Sequence, residues 1–153
     1  MGIEMATSQQ EINNYLQHAQ ELIYKAVLKT LSYLGEECIR RIRQRKDNWI
    51  DRTGNLRSSI GYAVLEQGRQ KIASTFEQVK DGTQGPKAGK EAINYLATQY
   101  ATTFALCVVA GMDYAEYVEK MENKDVLEST RLWAEELIDE YINKAIQSAL
   151  NAL

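Results

Sequence analysis

The sequence predicts an α+β fold, a small antiparallel or mixed sheet of three or more strands flanked by a long N-terminal helix and a C-terminal helix. Three observations predict this class. Apolar residues recur every three or four positions over a long early segment and again over the last segment, as on one face of an α-helix. Between these segments lie short runs rich in β-branched and aromatic residues. The length of 153 residues suits a single domain.

The first helix is predicted to begin at Ser8. Ser8 and Glu11 have the spacing of a capping box, in which the hydroxyl and the carboxylate each accept a free backbone N–H at a helix start. The helical spacing that follows predicts one apolar face that continues to about Lys46. The positions on this face are Ile12, Tyr15, Leu16, Ala19, Leu22, Ile23, Ala26, Thr30, Leu31, Leu34, Cys38 and Ile42.

The middle of the chain predicts a turn followed by a hairpin. The turn covers residues 49–55 and contains Gly54, which tolerates a positive φ. Alternating and β-rich residues predict strands at 61–66 and 71–79. Residues 67–69, Gln-Gly-Arg, predict the hairpin connection between them.

Residues 81–90 predict a flexible loop, because glycine and proline favour turns over regular structure. We expect this loop to reach a neighbouring subunit, so that removal of residues 82–89 leaves the monomer folded and weakens only assembly. The residues of this possible assembly loop are Gly82, Gly85, Pro86, Lys87, Gly89 and Lys90.

Beyond the loop, the apolar pattern predicts four further elements. Residues 91–102 predict a short helix, and residues 103–111 predict a buried strand. A second short helix is expected at 114–121. The last helix is expected to begin after a turn at 123–129.

The sequence offers little catalytic chemistry. Its single histidine, His18, lies within the first predicted helix, where an edge position on the apolar face is the ordinary interpretation. Cys38 and Cys107 are far apart and form no Cys-x-x-Cys pair, which predicts buried reduced thiols and no disulfide. We therefore expect no enzymatic activity, no catalytic residues, no cofactor and no bound metal.

Two ligand-binding patterns are incomplete. Gly85, Gly89 and Lys90 resemble part of a phosphate-binding loop, but the glycine spacing is one residue short and Glu91 replaces the Ser or Thr that holds magnesium. The acidic residues of 135–140 could in principle bind a hard cation, but at helical spacing they predict a solvated surface.

Charge is distributed unevenly along the chain. Residues 40–80 carry ten Lys and Arg against four acidic residues, a balance of +6, whereas residues 111–153 carry four against ten, a balance of −6. Three interpretations are open. The basic cluster could stabilise a helix C-terminus, it could contact nucleic-acid phosphates, or the two halves could steer identical subunits head to tail. The overall pI of about 5.3 argues against nucleic acid as the partner.

Two segments carry a family resemblance. Asp51-Arg-Thr-Gly-Asn-Leu-Arg-Ser-Ser-Ile60 follows the long helix, and Val108-Val-Ala-Gly-Met-Asp-Tyr-Ala-Glu-Tyr-Val-Glu119 comes later. Both resemble segments of the phage tail-completion and head-tail joining family that includes the lambda-type minor tail protein Z. The matching residues are Asp51, Arg52, Thr53, Gly54, Leu56, Arg57, Ile60, Tyr114, Ala115, Tyr117, Val118 and Glu119. The sequence departs from the family pattern after Glu119, where the family's Gly-Thr turn is missing.

The resemblance implies a structural virion subunit that forms a homo-oligomeric ring and contacts neighbouring head-tail connector or tail proteins. Such a subunit would be made in the host cytoplasm and would end in the virion neck or upper tail. No segment has the length of apolar sequence needed to cross a membrane, so we expect no membrane association. The alternative is a non-enzymatic bacterial adaptor that binds a protein partner through its helix faces.

Overall fold

The computed structural model describes residues 1–4, 6–44, 51–120 and 126–153, with the side chains of Tyr117 and Val118 outside the description. Within these ranges the elements, in chain order, are α1 (Gln9–Gln44), α2 (Asn55–Ser58), β1 (Ile60–Glu66), β2 (Arg69–Ala73), α3 (Gly85–Gln99), β3 (Phe104–Ala110), α4 (Ala115–Lys120) and α5 (Glu128–Asn151). The predicted α+β class, with a long first helix and a helix at the end, is confirmed. The predicted ends of the first helix near Lys46 and of the short helix at Met121 lie outside the described residues, as does part of each adjoining predicted turn.

The sheet is antiparallel, with strand order β2-β1-β3. β1 is the central strand, and its Ile60 lies opposite Ala110 of β3 while its Ala63 lies opposite Ala73 of β2. The residues of β1 from 60 to 65 are buried, because helices cover both faces of this strand.

The capping box at the start of α1 is confirmed. The backbone N–H of Glu11 donates to Ser8 Oγ at 3.1 Å, and the N–H of Ser8 donates to Glu11 Oε2 at 3.0 Å. These two bonds satisfy donors that a helix start leaves without intrahelical partners.

One face of the sheet packs against α1. The core on this side includes Leu31 and Ile42 of α1 and Tyr62 and Val64 of β1. Gly35 permits the close approach of helix and strand, because a Cβ there would lie 2.3 Å from Tyr62 Cδ2. Burial of these apolar side chains is the main contribution to the stability of the α1–sheet layer.

α5 packs on α1 in the antiparallel direction. The rings of Tyr33 and Tyr141 lie 6.3 Å apart, and the Arg41 guanidinium lies 4.3 Å from the centroid of the Trp133 ring. The second contact is a cation–π interaction, in which one arginine of the basic cluster at residues 40–80 joins the two helices.

The opposite face of the sheet packs against α3. Ile93 of α3 meets Ala63 and Leu65 of β1 and Cys107 of β3 in a second cluster of buried residues. The sheet therefore lies between two helical layers, α1 with α5 on one side and α3 on the other.

The prediction of a flexible loop at residues 81–90 is wrong from Gly85 onward, because α3 begins there with Pro86 in its first turn. Proline is favoured in the first turn of a helix, because a backbone N–H there has no intrahelical acceptor and its absence costs no hydrogen bond. Gly85 and Gly89 serve close packing, because a Cβ would lie 2.4 Å from the Asn55 carbonyl oxygen and 2.2 Å from the Phe76 ring, respectively. Gly82 is also buried, and only Lys87 and Lys90 of the expected contact residues are exposed.

The predicted strand at 71–79 is too long, since β2 ends at Ala73. The N–H of Tyr62 donates to the Ser74 side-chain oxygen at 2.9 Å, a bond that a continuing strand would make with its backbone. The Phe76 ring then folds over Gly61 and Gly89. No helix in the described ranges has the length and apolar character needed to cross a membrane.

Candidate interaction site

The first motif segment forms a turn built around a buried carboxylate. Asp51 is 4% exposed, and its two oxygens accept the backbone N–H of Gly54 at 3.0 Å and of Arg57 at 2.9 Å. The Thr53 hydroxyl accepts the N–H of Asn55 at 3.3 Å. These bonds replace water at the backbone donors of the turn and of the short helix α2.

Gly54 occupies a position that only glycine fills without strain. Its φ is +85°, and a Cβ would lie 1.9 Å from the carbonyl oxygen of Val79. Beside it, the N–H of Val79 donates to Ser58 Oγ at 2.7 Å. The turn is therefore locked against residues 79–82, which lead to α3.

The same turn supplies the acceptor at the start of α3. Asn55 Oδ1 accepts the N–H of Gln84 at 3.1 Å and the N–H of Gly85 at 3.3 Å. This amide oxygen satisfies donors that precede and begin the helix.

The remaining residues of the first motif divide by burial. Leu56 and Ile60 are buried in the core on the α1 side, and Arg57 is half-buried. Arg43 of α1 donates to the Ile60 carbonyl at 2.8 Å, which ties the end of α1 to the start of β1. Arg52 is exposed.

Tyr114 brings the second motif segment to this turn. Burial and the nearby Asp51 carboxylate raise the pKa of Tyr114, whereas hydrogen bonds with Thr53 and with the backbone of Leu56 lower it. The neighbouring Ala115 is buried. The two segments, separated by 47 residues in sequence, therefore form one structural node, which we call the motif node.

Glu119 anchors the start of α5. Its carboxylate accepts the backbone N–H groups of Val126 at 2.5 Å, Leu127 at 2.8 Å and Glu128 at 2.7 Å. A carboxylate at a helix N-terminus also interacts favourably with the helix dipole. Of the motif residues, only Tyr117 and Val118 have side chains outside the described residues.

A groove of about 430 Å³ lies between α5 and β3. Its lining is mainly apolar, comes from α1, α3, β3 and α5, and includes no residue of β1 or β2. Cys38 and Ile42 of α1 and Leu106 and Val108 of β3 contribute to it. Glu119 fixes one wall of this β3 groove, because the start of α5 supplies Leu127 to the lining.

The sequence does not reveal this groove. The uninterrupted apolar run of β3 predicts a buried strand, but the position of that strand at the sheet edge depends on strand order. The groove also contains Thr130, a residue that helical periodicity alone does not distinguish from other positions of α5.

The two thiols line the same groove but are poorly reactive. Burial raises the pKa of Cys38 to about 11, and the nearby Arg41 lowers it only in part; burial also raises the pKa of Cys107. Both cysteines are free and buried, as predicted. Because the thiolate is the reactive form, neither side chain is poised as a nucleophile at neutral pH.

Other candidate chemistry is dispersed. His18 is exposed on α1, and no group of three or more His, Cys, Asp or Glu within the described ranges is arranged to hold a metal ion. Arg131 of α5 pairs with Glu128 and with Glu135 at 2.7 Å, so acidic residues near the groove are partly neutralised.

Comparison of the chain with protein-family models, with curated proteins and with solved structures returns no match. The comparisons assign no family. The class of the protein is defined by its fold alone, a small α+β domain that carries the motif node and an apolar groove.

Proposed function

We propose that this chain is a structural, non-enzymatic subunit of a bacteriophage or prophage virion that acts in head-tail joining or tail completion as a ring oligomer. The observation that carries the proposal is the motif node. Asp51 and Thr53 from the first family-like segment meet Tyr114 from the second. Each of the two segments resembles the same family, and their contact in the fold gives a structural reason for both to occur in one chain.

The distribution of buried and exposed motif residues supports a division of roles. Asp51, Gly54 and Leu56 hold the fold, because their side chains or backbone positions are enclosed. Arg52 is exposed beside them. We assign Arg52 to a contact with a neighbouring subunit or virion protein, since an exposed cation stabilises the isolated fold little.

The proposal places the chain first in the host cytoplasm and then at the virion neck or upper tail. Genes for terminase, portal and tail proteins beside this gene would support it. An adaptor of bacterial origin, the alternative, would lack such neighbours.

Complementation in a phage that encodes the chain tests the function directly. A nonsense mutation in the gene should yield DNA-filled heads and separate tails in electron micrographs, and the wild-type protein supplied in trans should restore joined particles. Normal virions from the nonsense mutant would overturn the proposal.

Charge reversal at Arg52 tests the assigned contact. Arg52→Glu should fold normally and fail to restore joined particles. Arg69→Glu is the matched control, because Arg69 is also an exposed arginine of the basic segment but lies outside the motifs. Equal complementation by both variants would remove Arg52 from the contact.

A further inference from the structure

The outer edge of β3 presents backbone groups that have no partner among the described residues. The N–H of Gln67 donates to the Thr103 carbonyl at 3.1 Å, and that of Gly111 donates to the Ser59 carbonyl at 3.2 Å, in the register that pairs β1 with β3. In an antiparallel pair, residues of one strand alternate between bonding to the partner strand and pointing their backbone groups away from it. The backbone N–H and C=O groups of the odd-numbered β3 residues therefore bond to β1, and those of the even-numbered residues point away from it. The outward-facing residues are Phe104, Leu106, Val108 and Ala110.

The two edges of the sheet differ in their protection. β2 is five residues long, its pairing with β1 shifts register between Val64 and Leu65, and it carries the exposed cations Arg69 and Lys71. Short length, irregularity and lysine or arginine are the features that prevent strand addition at an edge. β3 has seven residues and no charged side chain, so strand addition is open at β3.

The β3 groove lies along this open edge, since its lining includes β3 but neither β1 nor β2. Ala134 and Ile138 of α5 form one side, and Leu96 of α3 contributes from the other. Thr130 also lines the groove, and its buried hydroxyl has no hydrogen-bond partner among the described residues. An apolar groove with free backbone groups and an unpaired hydroxyl suits an extended peptide.

The chain itself contains a segment of this kind in residues 1–7, here called the arm. The arm sequence, Met-Gly-Ile-Glu-Met-Ala-Thr, places apolar residues at alternate positions, which are Met1, Ile3 and Met5. In a β-strand these three side chains would share one face, with Glu4 on the other. Met1 and Ile3 are fully exposed in the isolated chain, so the arm has apolar side chains that its own domain does not cover.

The arm cannot line the groove of its own chain. Gln9 lies fifteen helical residues, about 22 Å, from Tyr24. The Tyr24 ring lies 6.0 Å from that of Phe104, at the near end of β3. The seven residues of the arm span at most about 25 Å when extended. Within its own chain the arm therefore reaches only the start of β3. An arm that fills the β3 groove must come from a second copy.

We propose that the arm of one copy adds as a fourth strand to the outer edge of β3 in a neighbouring copy. Met1 and Ile3 enter the β3 groove, and the arm backbone pairs with the outward-facing groups of residues 104–110. Donor and acceptor are different surfaces, so repetition of the contact joins subunits head to tail and closes a ring when the rotation permits. This inference rests on the proposed function, which requires a ring, and it names the contact that joins the subunits of that ring.

Substitution in the arm tests the donor side with the full chain. Ile3→Asp should lower the association constant measured by sedimentation velocity by about 100-fold, the ratio expected when one fully buried isoleucine is lost and a carboxylate takes its place. Glu4→Gln is the matched control and should leave association unchanged, because residue 4 faces away from the groove. Neither change should alter the circular dichroism spectrum, since Ile3 is exposed in the isolated chain.

Substitution in β3 tests the acceptor side. Val108→Pro removes an outward N–H that β1 does not use, so the domain should fold and the association should be lost. Val108→Ala removes more of the side chain than Val108→Pro but keeps the N–H, and it should retain measurable association. Equal association in these two variants would show that the edge backbone is not the acceptor and would overturn the inference.

The outcomes separate the contact from the proposed function. Wild-type protein that stays monomeric at millimolar concentration, or oligomers that Ile3→Asp leaves intact, would overturn the arm contact. If those intact oligomers still complete virions, the proposed function stands without it. Arm-dependent oligomers from a protein that no phage needs would support the contact and end the proposed function.

Discussion

Removal of the Glu119 carboxylate should loosen the start of α5 and lower the stability of the whole domain. In Glu119→Ala, the backbone N–H groups of Val126, Leu127 and Glu128 lose their acceptor. α5 packs on α1, so a displaced first turn also disturbs the groove wall that Leu127 supplies.

The magnitude follows from the three bonds. A hydrogen bond to a charged group contributes about 1.5–3 kcal/mol, and the favourable interaction of a carboxylate with a helix N-terminus adds about 0.3–1 kcal/mol. Water reaches the exposed N–H of Glu128 and recovers part of this loss. We therefore expect a decrease of about 3 kcal/mol in the free energy of unfolding, or about 6–12 °C in Tm for a domain of this size.

The control lies on the same short helix. Glu116 pairs with Lys120 at 2.6 Å, but both side chains are mostly exposed, at 78% and 73%. Glu116→Ala should therefore leave Tm near the wild-type value. Thermal denaturation followed by circular dichroism measures both variants, and amide hydrogen exchange at residues 126–128 locates the effect. Equal Tm values for the two variants, or unchanged exchange in Glu119→Ala, would refute the capping role of Glu119.

Four further predictions concern stability and reactivity. Gly54→Ala should destabilise the domain by more than about 3 kcal/mol in urea denaturation, because it combines left-handed strain with a clash against the Val79 carbonyl, whereas Gly2→Ala, with no neighbour within 4 Å, should have no effect. Cys38 in the native protein should react with a thiol reagent at pH 8 about 100-fold more slowly than a free cysteine, since its pKa is raised to about 11; fast labelling of the native thiol would contradict its burial. The unfolded thiol ionises first as pH rises, so stability should fall between roughly pH 9 and 11, and less steeply in Cys38→Ala; parallel pH profiles for the two proteins would argue against this linkage. Deletion of residues 82–89 should unfold the monomer, as judged by circular dichroism, because it removes the first turn of α3 and the close contacts of Gly82, Gly85 and Gly89.

The sequence by itself determined the local elements. The Ser8–Glu11 capping box and the helical spacing after it depend on neighbouring residues, and the structure contains both. The hairpin is also present, but its connection is Gln67-Gly68, because Arg69 already pairs with Glu66 as the first residue of β2. The sequence also predicts the turn at Gly54, because tolerance of a positive φ is a property of that residue alone.

Only the tertiary structure decided the roles that depend on distant residues. The segment that contains Gly85 and Gly89 has the composition of a loop. In the structure both glycines lie at the start of a helix, where they pack closely against Asn55 and Phe76. Local sequence does not reveal those contacts, because the partners lie 30 and 13 positions away.

The groove was likewise beyond the sequence. An apolar strand has the same pattern at the centre and at the edge of a sheet when helices cover it, and strand order alone leaves the outer side of β3 open. Strand order follows from the packing of α1, α3 and α5 around the sheet, which is a property of the whole chain.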